Sequence, residues 1–419
     1  MCERKYIVYL AGIGMGASPV YTREVEEALL KCDCIIGAAR MVESAKRMLE
    51  EREKQGNPPL PSKEIYVEYR PDKIADLVKE CKTCRTFVVV LSGDTGFYSG
   101  AKALEEELKD GEVRLLPGVS CVSYLAAKVQ TSWEDAKILS LHGQTPNYIY
   151  EISRHSKLFL LLGGKETGEE ICEKLRWYHL EDLEVTLGKS LSYPEEEILC
   201  KRAGDLRPQD WAGLAAALIR NPHPRLSASA HIRDDAFVRG KVPMTKEEVR
   251  AVILSKLQLT KDAVLYDVGA GTGSVSVEAA LTGEDIRVYA VEKKKEAIWL
   301  LEENKRKFLA DGMQIVEGTA PEALEELPAP SHVFIGGSSG NLKEIIKTVQ
   351  RKNPRVRVVL AAISLETVKG AVEAMEEGLL LDAEVVQIWV SRSQELGKFH
   401  LMKGENPIYV ISSGGEACP

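Results

Sequence analysis

A glycine-rich turn in the second half of the chain contains the residue types with the clearest chemical content. Its residues are Asp267, Val268, Gly269, Ala270, Gly271, Thr272 and Gly273. Glycines at alternate positions let the backbone approach a ligand closely, and a helix that follows such a turn offers unpaired N–H groups. An aspartate before the glycines is poorly suited to pyrophosphate, but it suits a ligand with a positive charge or a hydrogen-bond donor.

A second acidic residue lies at the distance along the chain that a nucleoside-binding turn requires. Glu292 ends the strand pattern Val288–Glu292, where a carboxylate can accept hydrogen bonds from ribose hydroxyls. Glycines alone occur in many strand-to-helix turns, so the prediction depends on Asp267, Thr272 and Glu292 together. We therefore expect an S-adenosylmethionine site of the methyltransferase type over Gly269 to Gly273.

The elements around this turn follow the order of a doubly wound α/β fold. Val264–Val268 is a buried-strand pattern, and an apolar helix pattern follows the glycines. A helix is expected over Lys295–Phe308, with strands over Gln314–Glu317 and His332–Ile335. The sequence therefore predicts a Rossmann-like sheet whose strand ends form the ligand site.

The chain is long enough for two cores. With 419 residues, two domains of roughly 200 residues each are expected. An apolar segment at Ala212–Ile219, expected to form a short helix, precedes a stretch rich in proline, alanine and serine. We place the domain change there, with one α/β domain over residues 1–224 and the other over residues 225–419.

The composition is that of a globular protein without a general affinity for polyanions. Charged residues make up 28% and hydrophobic residues 44% of the chain, and the net charge is −8. This charge argues against general nucleic-acid binding, and no apolar stretch is long enough for a signal peptide or a membrane span. We therefore expect a cytoplasmic protein that binds neither nucleic acid nor membranes.

The nine cysteines are an odd number spread over both halves, which is typical of reduced thiols rather than of a disulfide framework. Cys81 and Cys84 have the spacing of a metal-binding pair. No second pair or histidine cluster lies near them along the chain, so no metal site is expected.

Three further strand-to-turn segments, in the first half, are rich in glycine and small polar residues. They are Gly12–Gly16 after Tyr6–Leu10, Ser92–Gly96 after Phe87–Leu91, and Pro117–Ser120 after Val113–Leu116. A later segment, Leu191–Glu196, reads L-x-Y-P-x-E. In this order and at these spacings, the segments resemble those of the tetrapyrrole (corrin and sirohaem) methyltransferases, although Lys189 stands where relatives usually carry an acidic residue.

This resemblance implies two α/β lobes with S-adenosylmethionine between them. The cofactor contacts that it implies are Gly12, Gly14, Gly93, Asp94 and Ser120. For Asp94 the alternative is a turn residue whose carboxylate binds only the local backbone. His142 follows the strand pattern Ile138–Leu141 and corresponds to a loop near the cleft, where it either contacts the substrate or has a structural role.

The second half resembles the decarboxylating C15-methyltransferases of cobalamin biosynthesis. The segments that carry this resemblance are Asp234–Arg250, Asp267–Gly273, Gly318–Leu324, Phe334–Leu342 and Ile363–Thr367. It implies cofactor contacts at Thr245, Gly269 to Gly273, Glu292 and Ala320. Thr245 also has the sequence context of a helix cap, because Glu248 follows three residues later.

Together the two resemblances imply a bifunctional enzyme with one S-adenosylmethionine per domain. It would methylate C5 and C15 of a precorrin-6B-type macrocycle, with or without cobalt, and remove the ring-C acetate carboxyl to give a precorrin-8-type product. Relatives of both domains form homo-oligomers, so self-association is also implied. The substrate carries several carboxylates, so basic residues should contact it. The candidates in the second half are Arg239, Lys246, Arg392, Lys398 and His400.

Two other functions stay open on the sequence. Two methyltransferase domains could act on another substrate such as RNA, or the chain could be a regulator that senses the cofactor. Enzymes that methylate base nitrogens typically hold the base with Asn/Asp-Pro-Pro-Tyr/Phe after the fourth strand. Here that position is Gly336–Gly340, which contains only glycine and serine and favours a broad, flat substrate.

Overall fold

The computed structural model describes residues 6–16, 20–142, 146–163, 167–211, 213, 215–227 and 229–415. The chain forms two compact units. The first comprises residues 1–145, 157–173 and 181–220, and the second comprises residues 146–156, 174–180 and 221–419. Among the described residues, no helix combines the length and the apolar character that crossing a membrane requires.

A parallel sheet of five strands begins the first unit. Its strands are β1 (Ile7–Gly12), β2 (Cys34–Gly37), β3 (Glu64–Val67), β4 (Thr86–Leu91) and β5 (Glu112–Leu116). The helices of this region are α1 (Arg23–Lys31), α2 (Ala39–Lys54), α3 (Pro71–Glu80), α4 (Ala101–Glu107) and α5 (Cys121–Lys128). The strand order is β3, β2, β4, β1, β5. Because β4, β1 and β5 are neighbours, the three glycine-rich turns predicted in this half meet at one edge of the sheet.

A mixed sheet of five strands follows. Its strands are β6 (Lys137–Ser140), β7 (Lys157–Leu161), β8 (Glu184–Lys189), β9 (Glu197–Arg202) and β10 (Ala215–Arg220), and the helices here are α6 (Tyr148–Arg154) and α7 (Gly168–Trp177). The order is β6, β7, β10, β8, β9. The helix predicted over Ala212–Ile219 is therefore wrong, because β10 is a central strand, antiparallel to both of its neighbours. A short apolar run has no periodicity that separates a buried strand from a buried helix.

The second unit contains the predicted Rossmann-like sheet. Its strands are β11 (Val264–Val268), β12 (Arg287–Glu292), β13 (Met313–Glu317), β14 (His332–Ile335), β15 (Arg357–Ala362), β16 (Glu384–Ile388), β17 (Ser391–Leu396), β18 (Phe399–Gly404) and β19 (Ile408–Ser413). Its helices are α8 (Glu247–Leu257), α9 (Ser274–Ala280), α10 (Lys295–Phe308), α11 (Leu342–Lys352) and α12 (Leu365–Glu376). Seven strands form one sheet in the order β13, β12, β11, β14, β15, β19, β16, and β17 pairs with β18 alone. All five residues of β11 are buried, as expected for a central parallel strand covered on both faces.

A buried ion pair fixes the segment that precedes α8. Arg250 Nε donates to Glu278 Oε1 at 2.8 Å, and the two side chains are 0% and 1% exposed. The Arg250 guanidinium also donates to the carbonyl oxygens of Ile232 and Thr245 and pairs with Asp234 at 3.2 Å. The backbone between Ile232 and Thr245 is thereby tied to α8 and α9, which contain the two partners of the ion pair.

Replacing Arg250 with methionine should lower the free energy of unfolding of the second unit by about 3–5 kcal/mol, because Glu278 would stay buried without its partner. The matched control is Arg233→Met, because Arg233 and its partner Asp235 are both largely exposed. That change should cost on the order of 0–1 kcal/mol. Hydrogen exchange of peptides from α8 and α9 during urea unfolding measures both effects. Equal losses in the two variants would contradict the role assigned to Arg250.

Candidate functional site

A cavity of about 450 Å³ lies at the carboxyl ends of the central strands of the second unit. Ligands bind in this position in open α/β sheets, because the strand order reverses there. The predicted residues that line it are Thr245, Lys246, Asp267, Gly269, Ala270, Gly271, Glu292 and Ala320. The fold thus brings together residues that follow several different strands and residues of the segment before α8.

Two strand ends at the base of this cavity approach so closely that only glycine fits. Gly269, directly after β11, has a φ of +74°. A Cβ atom at this position would lie 2.8 Å from the backbone nitrogen of Gly337, which follows β14. Any side chain at 269 would therefore be strained and would push the two strand ends apart.

Asp267 is a buried carboxylate with one unsatisfied oxygen. The Ser276 hydroxyl donates a hydrogen bond to Oδ2, whereas Oδ1 has no hydrogen-bond partner in the part of the chain that the structure describes. Burial raises the pKa of Asp267 to about 7, against the lowering effect of the Ser276 hydrogen bonds, and the charge of Glu292 raises it further. An unpaired buried acceptor is costly, so Oδ1 suits a ligand that donates a hydrogen bond.

Backbone N–H groups orient the carboxylate of Glu292. Its Oε2 accepts from Gly271 at 3.0 Å, and its Oε1 accepts from Lys293 at 2.8 Å and from Lys294 at 3.0 Å. A carboxylate oxygen has two lone pairs, so Oε2, which accepts a single hydrogen bond, keeps acceptor capacity for a ligand. Glu292 is therefore a fixed acceptor in the position predicted for binding ribose hydroxyls.

Thr245 lines the cavity but does not cap α8, so the predicted capping box is wrong. The residue that caps the helix is Lys246, and it makes no side-chain hydrogen bond there. One partner expected for the box is engaged elsewhere, because the Glu248 carboxylate pairs with Arg392. The Thr245 hydroxyl is consequently not used by the helix terminus.

Several predicted residues of the second unit do not line this cavity. They are Thr272, Gly273, Arg239, Arg392, Lys398 and His400. Thr272 is a buried residue of the turn itself, and Gly273 is the residue before α9. Arg392 pairs with Asp234 at 3.4 Å and with Glu248 at 2.5 Å, so carboxylates of the chain itself already balance its charge. The substrate contacts predicted for these basic residues remain predictions.

Four polar residues at the rim were missed by the sequence reasoning. Lys293, Lys294, Ser338 and Ser339 line the cavity, and Lys293 Nζ donates to Ser339 Oγ at 2.8 Å. The two lysines directly follow Glu292, and this position in the sequence could have identified them as site residues. The serines follow a different strand, and only the fold places them opposite the lysines.

A second cavity, of about 280 Å³, lies within the first unit. Of the predicted residues, Gly93 and His142 line it. Gly12 lies just outside the lining, where a Cβ atom would be 2.7 Å from the carbonyl oxygen of Gly93 and 2.8 Å from the nitrogen of Gly118. Gly14 pairs with Gly93 through two backbone hydrogen bonds. The predicted glycines therefore hold the ends of β1, β4 and β5 together beside the cavity.

Asp94 and Ser120 both accept hydrogen bonds from the backbone of the first unit. The two carboxylate oxygens of Asp94 accept from the backbone N–H groups of Gly96 and Gly118, each at 2.9 Å. Ser120 caps α5, because its hydroxyl accepts from the N–H of Ser123 at 3.1 Å. Neither residue lines the cavity, so a direct contact with a cofactor remains a prediction for both.

Arg40 and Tyr193 line the first-unit cavity and were not predicted as site residues. The guanidinium carbon of Arg40 lies 5.8 Å from the centroid of the Tyr193 ring, and Nη2 donates to Ser92 Oγ at 3.4 Å. The Tyr193 hydroxyl is buried and lacks a hydrogen-bond partner among the described residues. A guanidinium and a phenol at one rim can bind a carboxylate. The sequence signal for Tyr193 was its place in the L-x-Y-P segment.

The polar groups that line the cavity of the second unit fit S-adenosylmethionine. Asp267 Oδ1 is an unsatisfied buried acceptor for an ammonium group, and Glu292 is a fixed acceptor for ribose hydroxyls. A cavity with these groups above a glycine turn, at the switch point of a sheet with this strand order, defines a protein of the S-adenosylmethionine-dependent methyltransferase class.

Two family models match the chain, and together they extend over most of its length. The precorrin methyltransferase domain matches residues 235–413, and the tetrapyrrole (corrin/porphyrin) methylases match residues 7–207. The chain therefore belongs to the precorrin methyltransferases, and its first half belongs with the tetrapyrrole methylases.

Individual relatives named as C(15)- or C5,15-methyltransferases match less than half of the chain. A probable cobalt-precorrin-6B C(15)-methyltransferase (decarboxylating) of Pyrobaculum calidifontis is 48% identical over 189 residues, which is 44% of this chain and 96% of the relative. The cobalt-precorrin-6B C(15)-methyltransferase (decarboxylating) of Salmonella typhimurium is 39% identical over 183 residues, which is 43% of this chain and 94% of the relative. The crystal structure of a precorrin-6y C5,15-methyltransferase from Geobacter metallireducens is 40% identical, covers 44% of this chain and 97% of its own, and has a TM-score of 0.42.

The affinity of the second unit for S-adenosylmethionine should rise as the pH rises towards about 7. Below the raised pKa the Asp267 carboxyl is protonated and offers no negative charge to an ammonium group, so the affinity should change by up to about tenfold per pH unit. The ligand-free fold should lose stability over the same rise, because it keeps a proton that the unfolded chain releases.

Calorimetric titration with S-adenosylhomocysteine from about pH 6 to about pH 8 measures this dependence, because the ligand keeps the ammonium group but has no methyl to transfer. Asp267→Asn should flatten the profile. Asp285→Asn changes a half-exposed carboxylate and should keep it. An unchanged slope in Asp267→Asn would assign the pH dependence to another group.

Proposed function

We propose that the chain methylates a corrin precursor twice, at C5 in the first unit and at C15 in the second, and removes the ring-C acetate carboxyl as carbon dioxide. The observation that carries this proposal is the presence of two cavities at glycine-rich strand ends, each in a region matched by a different corrin methyltransferase family. The substrate is a precorrin-6B-type or cobalt-precorrin-6B-type macrocycle. The names of the relatives of the second half support the C15 assignment.

One S-adenosylmethionine binds in each unit and supplies an activated methyl group. In the second unit, Asp267 Oδ1 accepts from its ammonium group, Glu292 accepts from its ribose hydroxyls, and the backbone at Gly269 contacts it closely. The sulfonium already carries the activation, so the chain needs no nucleophilic side chain. The chain contributes mainly by orienting the acceptor carbon. Such orientation can lower the activation free energy by up to about 7–11 kcal/mol.

Basic groups at the two rims receive the carboxylates of the macrocycle. Lys246, Lys293 and Lys294 line the second cavity, and Arg40 with His142 lines the first. The strand end at Gly336 and Gly337 presents no side chains, so a flat ring can approach the base of the second cavity. The electron pair left when the ring-C carboxyl departs enters the conjugated macrocycle, where bond formation at C15 uses it.

Three further expectations belong to the same proposal. The protein self-associates, it works in the cytoplasm, and the boundary between its two catalytic domains lies in the chain near residue 225. These expectations come from the family resemblance and from the composition of the chain.

The test is an assay of the full chain with methyl-labelled S-adenosylmethionine and precorrin-6B-type substrate, with and without cobalt. The product should gain two methyl groups and lose one carbon dioxide, as scored by mass. Gly269→Ala should reduce methylation at C15 and release of carbon dioxide on the order of 100-fold, because a shift of about 1 Å in the site has such an effect. Gly12→Ala should reduce methylation at C5 in the same way.

Two glycine variants serve as matched controls. A Cβ atom at Gly100 meets nothing within 4 Å, and one at Gly370 meets only a side-chain carbon at 3.6 Å. Gly100→Ala and Gly370→Ala should therefore retain both activities. Transfer of label to RNA in place of the macrocycle would contradict the proposal, and so would binding of the cofactor with no transfer of methyl to the macrocycle.

A further inference from the structure

A cluster of sulfur and oxygen ligands lies at the edge of the first unit's parallel sheet. Glu64, Cys81 and Cys84 each place one ligand atom within 4.8 Å of the other two. None of the three is among the described residues that line either cavity. The cluster is therefore separate from both methyltransferase sites.

Three different elements supply these groups. Glu64 begins β3, the edge strand of the sheet, and Cys81 is the residue that ends α3. Cys84 lies in the turn before β4 and is only 5% exposed. The spacing along the chain indicates the two cysteines but no third ligand, because Glu64 is distant in the chain and only the pairing of β3 with β2 brings it there.

Hydrogen bonds converge on Glu64 and Cys81. The Thr83 hydroxyl donates to Glu64 Oε1 at 2.5 Å and lies 3.3 Å from Cys81 Sγ. The Tyr66 hydroxyl donates to Glu64 Oε2 at 2.7 Å, and the backbone N–H of Cys84 donates to Cys81 Sγ at 3.4 Å. Burial raises the pKa of the Cys84 thiol, whereas donors to the Cys81 sulfur and to the Glu64 carboxylate favour the charged forms of those two groups. The charged forms are also the ones that bind metal ions.

A third thiol lies beside the cluster. Cys34, which begins β2, is the register partner of Glu64 and is fully buried. It packs in the same apolar cluster as Cys84, with Cys81 against that cluster. Like Cys81 and Cys84, it is a free thiol. The region therefore holds three reduced sulfur atoms and one carboxylate.

We propose that Glu64, Cys81 and Cys84 bind a zinc ion, with a water molecule or the Cys34 thiolate in the fourth position. Two thiolates and a carboxylate are ligand types that zinc accepts, and soft thiolates disfavour magnesium and calcium. Zinc binds these ligands at about 2.0–2.3 Å in a tetrahedral arrangement, which places two of them about 3.3–3.8 Å apart. The three ligand atoms, which lie within 4.8 Å of one another, would move closer together around the ion.

Binding involves no change of oxidation state. Each thiol releases its proton to solvent when its sulfur atom binds the ion, two protons with water as the fourth ligand and three with Cys34, and the carboxylate is already ionised. The ion would join the edge strand β3 to the α3–β4 turn, and it would stabilise the folded state in proportion to its affinity and concentration.

The test begins with reduced full-length protein that has been stripped with a chelator, reloaded with zinc chloride and desalted. Metal analysis should find one zinc per chain in the wild type and background levels in Cys81→Ser and Cys84→Ser. Cys200→Ser removes an exposed thiol on β9 and should keep the full zinc content. Glu64→Gln changes a side chain at the sheet edge and should weaken binding without affecting the fold.

Two further measurements distinguish a cluster that binds a metal ion from one that only packs within the fold. Cobalt(II) should give a sulfur-to-metal charge-transfer band in the wild type and in Cys200→Ser but not in Cys84→Ser. Thr83→Val should keep the stoichiometry while weakening affinity by about 10–100-fold, as expected for a residue that orients a ligand. Equal zinc content in Cys84→Ser and the wild type would overturn the proposal. A Cys81–Cys84 disulfide in the purified protein, found by mass after thiol alkylation, would also overturn it.

Discussion

Close approach between the backbones of neighbouring parallel strands is the constraint on which both sites depend. After β11 and β14, Gly269 lies so near Gly337 that no Cβ atom fits between them. Gly12, the last residue of β1, likewise lies so near Gly93 and Gly118 that no Cβ atom fits between them. In each unit the strand ends can meet only because side chains are absent there, and a cavity opens beside them. The five-stranded parallel sheet and the Rossmann-like sheet thus share a close approach of strand ends at glycines.

The second unit adds an electrostatic arrangement to this base. Arg250 is buried with Glu278 and holds the carbonyl oxygen of Thr245, so the segment beside the cavity has a fixed position. Asp267 is also buried, but one of its oxygens has no partner in the described chain. A buried ion pair that is complete supports structure, whereas a buried carboxylate that is incomplete is costly until a ligand completes it. Glu278 therefore supports the fold, whereas Asp267 belongs to the ligand site.

Local sequence signals predicted much of the fold and part of the site. The helix Lys295–Phe308 has the predicted bounds, because charged and apolar residues alternate with helical period there. Asp267 and Glu292 line one cavity, as the motif spacing indicated. Both follow from residues close in the chain or from a spacing that the fold class fixes.

Features that depend on distant residues could not be predicted in this way. The strand Ala215–Arg220 was read as a helix because its partners β7 and β8 lie far from it in sequence. The carboxylates around Arg392, the position of Arg40 beside Tyr193, and the meeting of Glu64 with two cysteines likewise arise only from tertiary packing. The predicted cap at Thr245 failed for the same reason, since Arg392, distant in the chain, pairs with the Glu248 carboxylate that the cap requires.

The central claim is that one chain contains two independent sites for the methyl donor. The most direct measurement is the stoichiometry of S-adenosylhomocysteine binding to the full chain by calorimetry. Two equivalents should bind per chain, with Gly269→Ala removing one and Gly12→Ala removing the other. A single equivalent in the wild type, or loss of both equivalents in Gly269→Ala, would contradict the claim.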